Sequence, residues 1–376
     1  MKKKKLNFKK VFITLVLMII VFFVSPKIVY YLTTTETQRS LYQLSYQKAC
    51  TEEIISNKRD QYLIEKQIYS PTINEACNQK EYKDKFFDNY LEITYVNNEN
   101  FILKINKLLE LNYSAKEINQ IYQTLSDEQI DEITNKDKID NLTTLIFQKF
   151  FNFNNLERYS NYQKEEKLND QETVLYVELD LDIPFYTTDY KSNLKDEYLI
   201  LTNKYYALSK DYEPNDLVKI NTAYTNGKTR TIRKKVNEAF EKMAKAMTSQ
   251  GMMVNVVSAY RSYATQNQLY NNYANRDGIK KADTYSARPG HSEHQTGLAL
   301  DLNSLSNSAF VYTKEYKWLK DNAHKYGFIL RYPSDKVHIT GYMFESWHYR
   351  YVGIEVATYI YENKITFEEY YLEFIK

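Results

Sequence analysis

Glycine and histidine are missing from the first 226 residues of this 376-residue chain. All eight glycines lie at Gly227 or later, and so do all five histidines and both tryptophans. The first half after the N-terminus therefore lacks the glycines that tight turns and close approach of a ligand to the backbone usually require. It is rich in Asn, Lys, Gln, Glu, Tyr and Leu, which indicates a helical region without an obvious catalytic cluster.

The chain also lacks the basic stripe of a nucleic-acid-binding protein. Its formal net charge is +2, and the first ten residues alone contribute six lysines and no acid. The rest of the chain is slightly acidic, with 44 Lys and Arg against 48 Asp and Glu. This distribution argues against a nucleic acid as partner. The length is typical of two or three domains.

One long apolar run is present near the N-terminus. Residues 11–24, VFITLVLMIIVFFV, follow the basic tail 1–10, and IVYYL extends the run to Leu32. Counted through Leu32, the segment reaches the roughly 20 residues that a membrane span needs. We expect an uncleaved transmembrane signal anchor at 11–32, with 1–10 in the cytoplasm and the rest of a single-pass cell-membrane protein outside it. A cleaved signal peptide is the alternative.

Residues 33–173 are predicted to form an extracytoplasmic helical region. Ser114 and Ser126 each begin a capping box, and a further helix is expected at 138–151. The region is either a spacer, a docking module or an ordinary helical domain, and the sequence does not separate these. Cys50 and Cys77 can form a disulfide or remain as buried thiols.

From residue 174 to 376 the pattern changes to mixed strands and helices. Without a regular βαβ alternation, such a mixture predicts an α+β domain. The expected strands are VLYVELDL at 174–181, MVNVVSAY at 253–260, GLALDL at 297–302 and WHYRYVG at 347–353. The expected helices are 229–250, 264–275 and 314–326.

Two clusters in this half carry groups that bind metals. His294 and Asp301 lie in SEHQTGLALD, and FESWHYR places Glu345 three residues before His348. Two imidazoles and a carboxylate make the ligand set of a catalytic zinc site, whose fourth position holds a water with a pKa of about 7. A carboxylate that is not a ligand can take the proton of that water and pass it to the leaving amine. Glu345 is the candidate for this role.

These segments resemble the motifs of the VanY-type D-alanyl-D-alanine carboxypeptidases. SEHQTGLALD fits their Ser-x-His-x-x-Gly-x-Ala-x-Asp motif, ESWHYRYVG resembles their Glu-x-Trp-His signature, and SAYRSYATQ at 258–266 resembles a third block in the family order. The resemblance covers about 174–376, and the helical region resembles that of some membrane-anchored Firmicutes-type members more loosely. Ser346 departs from the proline that many members have, which puts the precision of Glu345 at risk.

The resemblance implies a small antiparallel sheet flanked by helices, as in the D,D-peptidase/Hedgehog-like fold. Carried over by motif position, His294, Asp301 and His348 would bind zinc, and Glu345 would act first as general base and then as general acid.

Three further residues receive roles from the resemblance. Arg261 would hold the oxyanion or the substrate carboxylate, as a fixed cation can. Ser292 and Gln266 would contact the end of the peptide.

The neighbouring residues are given structural interpretations. His291 is placed in the outer shell or the loop, and Glu293 is expected to be solvated. Trp347 is expected to pack in the core beside the metal, His324 to lie at the surface or in packing, and His338 is assigned nothing.

The leading hypothesis is a membrane-anchored zinc carboxypeptidase that removes a terminal D-alanine from peptidoglycan stem peptides. Its usual substrate would be the D-Ala–D-Ala end of the pentapeptide, but some relatives cut the L-Lys–D-Ala bond of tetrapeptides as L,D-carboxypeptidases. An inactive wall-binding or scaffold protein is the alternative from another class, and Glu345 and Arg261 argue against it. An endopeptidase is a third possibility. The sequence does not give the oligomeric state.

Overall fold

The computed structural model of the protein describes residues 14–16, 18, 26–98, 100–306 and 308–376. The chain forms two compact units, Met1–Phe147 and Gln148–Lys376. The boundary predicted between 173 and 174 falls inside the second unit, and the predicted division into four segments stays a prediction.

The predicted membrane anchor is contradicted. Among the residues that the structure describes, no helix is long and apolar enough to cross a membrane. The single-pass location inferred from this segment is therefore corrected. The basic tail 1–10 and much of the apolar run, residues 11–13, 17 and 19–25, lie outside the described residues.

The first unit is helical. Both predicted capping boxes are present, because the hydroxyls of Ser114 and Ser126 accept the N–H of the third helical residue, whose side chain accepts the serine N–H in return. The predicted helix at 138–151 is wrong in extent, since Leu142–Leu145 is its helical part. The helices are Glu36–Gln43, Lys48–Ser56, Asp60–Lys66, Pro71–Ala76, Phe87–Glu92, Phe101–Glu110, Ala115–Thr124, Asp127–Ile133 and Leu142–Leu145, with a 3-10 turn at Asp84–Phe86.

A disulfide joins Cys50 and Cys77 in this unit. Cys50 lies on the helix Lys48–Ser56, and Cys77 directly follows the helix Pro71–Ala76. The bond therefore ties two short helices together, and of the two alternatives left open by the sequence the structure shows the paired one.

The second unit is an α+β domain. Its strands are β1 Tyr190–Lys191, β2 Tyr206–Ala207, β3 Leu217–Lys219, β4 Thr231–Arg233, β5 Val254–Ser258, β6 Ala299–Ser304, β7 Phe328–Leu330 and β8 His348–Tyr351. Its helices are Leu156–Glu166, Asp170–Glu178, Lys234–Thr248, Tyr263–Asp277, Ile279–Ala282, Lys314–Asn322, Val337–Thr340, Ile354–Asn363 and Phe367–Phe374. Short 3-10 turns lie at Phe153–Asn155, Thr222–Tyr224, Glu293–Thr296, Phe310–Tyr312 and Ala323–Tyr326.

A four-stranded antiparallel sheet in the order β5-β6-β8-β7 lies at the centre of this unit, which confirms the predicted small sheet flanked by helices. Two smaller sheets pair β1 with β2 in parallel and β3 with β4 antiparallel. Side chains alternate between the faces of a strand. Leu300 and Leu302 of β6 and Tyr349 and Tyr351 of β8 therefore share one face, in the core with the helix Lys234–Thr248.

One predicted strand is wrong, because VLYVELDL begins inside the helix Asp170–Glu178. The side chain of Asn169 caps this helix by accepting the N–H of Glu172, and acidic residues occupy its first turn, as a helix N-terminus favours. Val174 and Val177 are both buried, three positions apart on one side of the helix. Capping and packing thus outweigh the preference of β-branched residues for strands.

Candidate metal and substrate site

Asp301 of β6 and His348 of β8 are direct neighbours across the central sheet. Both lie on the face opposite the apolar core, so their side chains meet away from it. His294 reaches the same point from the 3-10 turn Glu293–Thr296. Gly297 ends this turn with φ +66°, and a Cβ there would lie 2.8 Å from Cγ of Arg233. The turn that presents His294 therefore requires glycine at this position.

The three side chains converge on one point. Nε2 of His294 lies 3.2 Å from Oδ2 of Asp301, and Nδ1 of His348 lies 3.1 Å from Oδ1 of the same carboxylate. One donor atom from each residue falls within 4.8 Å of the others, so the cluster could hold a metal ion. Two imidazole nitrogens and one carboxylate oxygen form the three-ligand set of catalytic zinc sites, which leave a fourth position open. The residues present therefore fit zinc.

The two histidines turn different ring nitrogens toward this point. Nδ1 of His294 lies 2.8 Å from the carbonyl oxygen of Ala259. Because a carbonyl only accepts, this nitrogen carries the proton and Nε2 is left as the donor to a metal. His348 has the opposite arrangement, since its Nε2 lies 3.2 Å from a carboxylate oxygen of Glu293 and its Nδ1 faces Asp301. Burial lowers the pKa of His348, but Asp301 and Glu293 outweigh it and raise that pKa to about 9.

Glu345 lies beside the cluster without being one of its three members. Its carboxylate oxygen is 3.7 Å from Nδ1 of His348, and its N–H donates to the carbonyl oxygen of Tyr332. A turn through Ser346 and Trp347 leads from Glu345 into β8. Burial raises the pKa of Glu345 to about 7. A carboxyl group with such a pKa can both take up and release a proton near neutral pH, as general acid–base catalysis requires.

Arg261 places a cation beside Asp301. Its guanidinium lies 3.8 Å from Oδ2 of Asp301 and donates to the hydroxyl of Ser258 and to the amide oxygen of Gln266. Gln266 in turn donates to the carbonyl oxygen of Ala287. Both the oxygen and the nitrogen of the Gln266 amide are therefore hydrogen-bonded, and this side chain holds Arg261 in place. Gln266 also lines the pocket.

A pocket of about 390 Å³ opens above these groups. All seven residues that the sequence motifs select are at its wall: Arg261, Gln266, Ser292, His294, Asp301, Glu345 and His348. Trp347 also lines it and is 41% exposed, so the expectation that this residue packs in the core is wrong. Tyr273, Tyr285, Tyr332 and Tyr342 add aromatic surface that the sequence did not single out.

Glu293 is the largest departure from the sequence-based expectation. It was predicted to be solvated, but it is only 2% exposed and accepts hydrogen bonds from Arg331 and Arg350 as well as from His348. Burial would raise the pKa of Glu293, yet the two guanidinium groups outweigh burial and hold it well below its usual range. No local sequence signal identifies this role, because Arg331 and Arg350 are remote in the chain.

The remaining histidines lie outside the cluster. Nδ1 of His291 lies 2.7 Å from the carbonyl oxygen of Asn203, which agrees with its placement outside the ligand set. His324 stacks on Tyr361. His338 shares a hydrogen bond with the hydroxyl of Tyr176.

Comparisons with known proteins identify the family of this chain. Residues 229–354 match the family described as VanY, D-alanyl-D-alanine carboxypeptidase. The chain is 33% identical over 180 residues to the bifunctional D-Ala-D-Ala dipeptidase and D-Ala-D-Ala carboxypeptidase VanXYC of Enterococcus gallinarum, covering 46% of this chain and 93% of that protein. The chain belongs to the VanY family.

Two further known proteins are similar to this chain. The YodJ protein of Bacillus subtilis is 45% identical over 181 residues, covering 46% of this chain and 66% of that protein, so the chain spans just under two thirds of that relative's length. The solved structure of the LdcB LD-carboxypeptidase is 40% identical, with a TM-score of 0.46, covering 51% of this chain and 99% of that one.

Proposed function

We propose that the protein is a zinc-dependent carboxypeptidase that removes a C-terminal D-alanine from peptidoglycan stem peptides. The observation that carries the proposal is the convergence of His294, Asp301 and His348 in a pocket that Glu345 also lines. Membership of the VanY family supports the choice of substrate.

The chemistry is divided among the residues as follows. When bound, zinc would supply a Lewis acid that activates water and polarises the scissile carbonyl. Glu345, 3.7 Å from the nearest ligand atom of His348, takes the proton released as water attacks and delivers it to the leaving amine of D-alanine. This requires that Glu345 be ionised at the start of the cycle, so its proton must be lost before each turnover.

Arg261 supplies the positive charge that the reaction needs. A guanidinium held by Ser258 and Gln266 is fixed before the substrate arrives. It therefore needs little reorganisation when negative charge develops in the transition state. We assign it to the oxyanion or to the terminal carboxylate of the peptide. We assign Ser292, which lines the pocket beside His294, to contact with the end of the peptide. Gln266 would act on the same end of the peptide through Arg261.

The pentapeptide ending in D-Ala–D-Ala is proposed as the main substrate. The tetrapeptide ending in L-Lys–D-Ala is the alternative, because both present a D-alanine carboxylate to Arg261. The full chain, loaded with zinc, is incubated with each synthetic peptide, and free D-alanine is measured. We expect release from at least one peptide. A zinc-loaded chain that leaves both peptides intact would favour the inactive wall-binding alternative instead.

A further inference from the structure

The network beneath the candidate metal site joins four buried charges. Arg331 and Arg350 are 1% and 0% exposed, and both donate to the same oxygen of Glu293, at 2.7 and 2.8 Å. Arg331 also donates twice to Glu368 of the helix Phe367–Phe374. Two cations and two anions balance, which is the condition under which charges are tolerated in an interior.

Glu293 has two carboxylate oxygens with different tasks. One accepts from the two arginines, and the other lies 3.2 Å from Nε2 of His348. The arginines therefore fix the carboxylate, and the carboxylate faces the ring nitrogen of His348 that points away from the cluster. A metal-binding histidine commonly donates its second N–H to a carboxylate, which sets its tautomer and ring orientation.

We propose that Glu293 is the positioning residue of His348: by accepting a hydrogen bond from Nε2–H, it holds His348 in the orientation and tautomer that present Nδ1 to the metal. The inference rests on the proposed zinc site and deepens it. It also links the C-terminal helix to that site, because Glu368 balances the charge of Arg331. His294 needs no such partner, since the carbonyl of Ala259 performs the same task for it.

The test compares two variants of the full chain. Glu293→Gln removes the charge that contacts both arginines and His348, whereas Glu368→Gln removes another buried charge of the same network, which contacts Arg331 but not His348. Zinc dissociation constants are measured by competition with a chromophoric chelator. We expect Glu293→Gln to weaken zinc binding about 10–100-fold and Glu368→Gln to change it by less than about threefold, the first range being typical for outer partners of zinc ligands. Equal weakening in both variants, or none in Glu293→Gln, would overturn the proposal.

A second measurement needs no substitution at Glu293. Histidine ¹⁵N spectra of the zinc-loaded natural chain should show His348 protonated at Nε2 and bound through Nδ1, and His294 with the reverse pattern. The signals of His348 are assigned by their loss in His348→Gln. A zinc-loaded chain in which His348 is protonated at Nδ1 would overturn the proposal even if Glu293→Gln does not fold. Failure of the proposed function is distinguishable, because it appears as a natural chain that binds no zinc or releases no D-alanine.

Discussion

Nδ1 of His348 lies 3.1 Å from Oδ1 of Asp301, on the adjacent strand of the central sheet. The contact depends on the antiparallel register of β6 and β8, which sets these two residues directly opposite each other. The backbone of the sheet therefore fixes two of the three proposed ligands. The third, His294, depends on the turn that ends at Gly297.

Removing a proposed ligand should weaken metal binding strongly. His348→Ala deletes one of three donor atoms, and we expect zinc affinity to fall by more than the about 10–100-fold that loss of an outer partner causes. His338→Ala is the matched control, because His338 contacts Tyr176 rather than the cluster. Chelator competition measures both. Retention of natural zinc affinity by His348→Ala would rule out its role as a ligand.

Glu345→Gln should separate chemistry from metal binding. The amide keeps the shape of the side chain but cannot take up a proton, so kcat should fall by about 10²–10⁴-fold. Zinc content should remain at one ion per chain, since Glu345 is not among the three residues proposed to bind the metal. D-alanine release and metal analysis of the same preparation check this. A variant that retains turnover would require another general base.

Arg261→Lys tests the need for a planar, two-armed cation. A lysine ammonium cannot satisfy both Ser258 and Gln266 while it faces the pocket. We expect kcat/KM to fall about 10²–10³-fold, as when one oxyanion donor is removed, with zinc affinity unchanged. Steady-state kinetics with the preferred peptide measures the loss. Unchanged kinetics would show that Arg261 contributes only to the pocket wall.

Lys204 should make the stability of the second unit depend on pH. Its ammonium is buried among Phe185, Tyr186 and Tyr342, and burial lowers its pKa to about 8 from 10.5. Between these values the unfolded chain binds more protons than the folded chain, so the free energy of unfolding rises with pH. From pH 7 to 9.5 the gain should be about 1–2 kcal/mol relative to Lys204→Met.

Tryptophan fluorescence suits this measurement, because Trp318 and Trp347 both lie in the second unit. Urea unfolding of the natural chain and of Lys204→Met is compared at each pH, so that the titration of tyrosines common to both cancels. A difference in unfolding free energy that stays constant from pH 7 to 9.5 would contradict the lowered pKa of Lys204.

The disulfide should stabilise the first unit. It closes a loop with a sequence separation of 27, for which the loss of chain entropy in the unfolded state predicts about 3.5 kcal/mol. The double variant Cys50→Ser, Cys77→Ser should therefore unfold at lower urea by circular dichroism. Equal stability with and without the bond would show that the two helices are held by packing.

The sequence could predict which side chains come together at the candidate metal site because they lie in short motifs. His294 and Asp301 share one segment, Glu345 and His348 another, and the alternating pattern of β6 and β8 indicates which residues face away from the core. The position of Glu345 beside His348 follows from the same short turn. The antiparallel sheet was predictable from the resemblance rather than from periodicity, since each strand is six residues long or shorter.

The errors share a physical cause, which is that local patterns do not report remote partners. The polar neighbours of Glu293 in the sequence suggest a solvated side chain. In the structure, Arg331 directly after β7 and Arg350 of β8 donate hydrogen bonds to it. Val174 and Val177 suggest a strand, but the cap at Asn169 and helical burial decide otherwise. Trp347 is a large aromatic residue of the kind that often packs in a core. In the turn after Glu345, however, its side chain lines the pocket.

Mass spectrometry of muropeptides tests the central claim most directly, because it identifies the bond and the product together. Purified peptidoglycan fragments are incubated with the zinc-loaded full chain and, in parallel, with Glu345→Gln. We expect the natural chain to remove one terminal alanine from pentapeptides, or from tetrapeptides, with free D-alanine as the product, and we expect the stem peptides to stay intact with Glu345→Gln. Intact stem peptides after incubation with the zinc-loaded natural chain, or cleavage inside a cross-link, would contradict it.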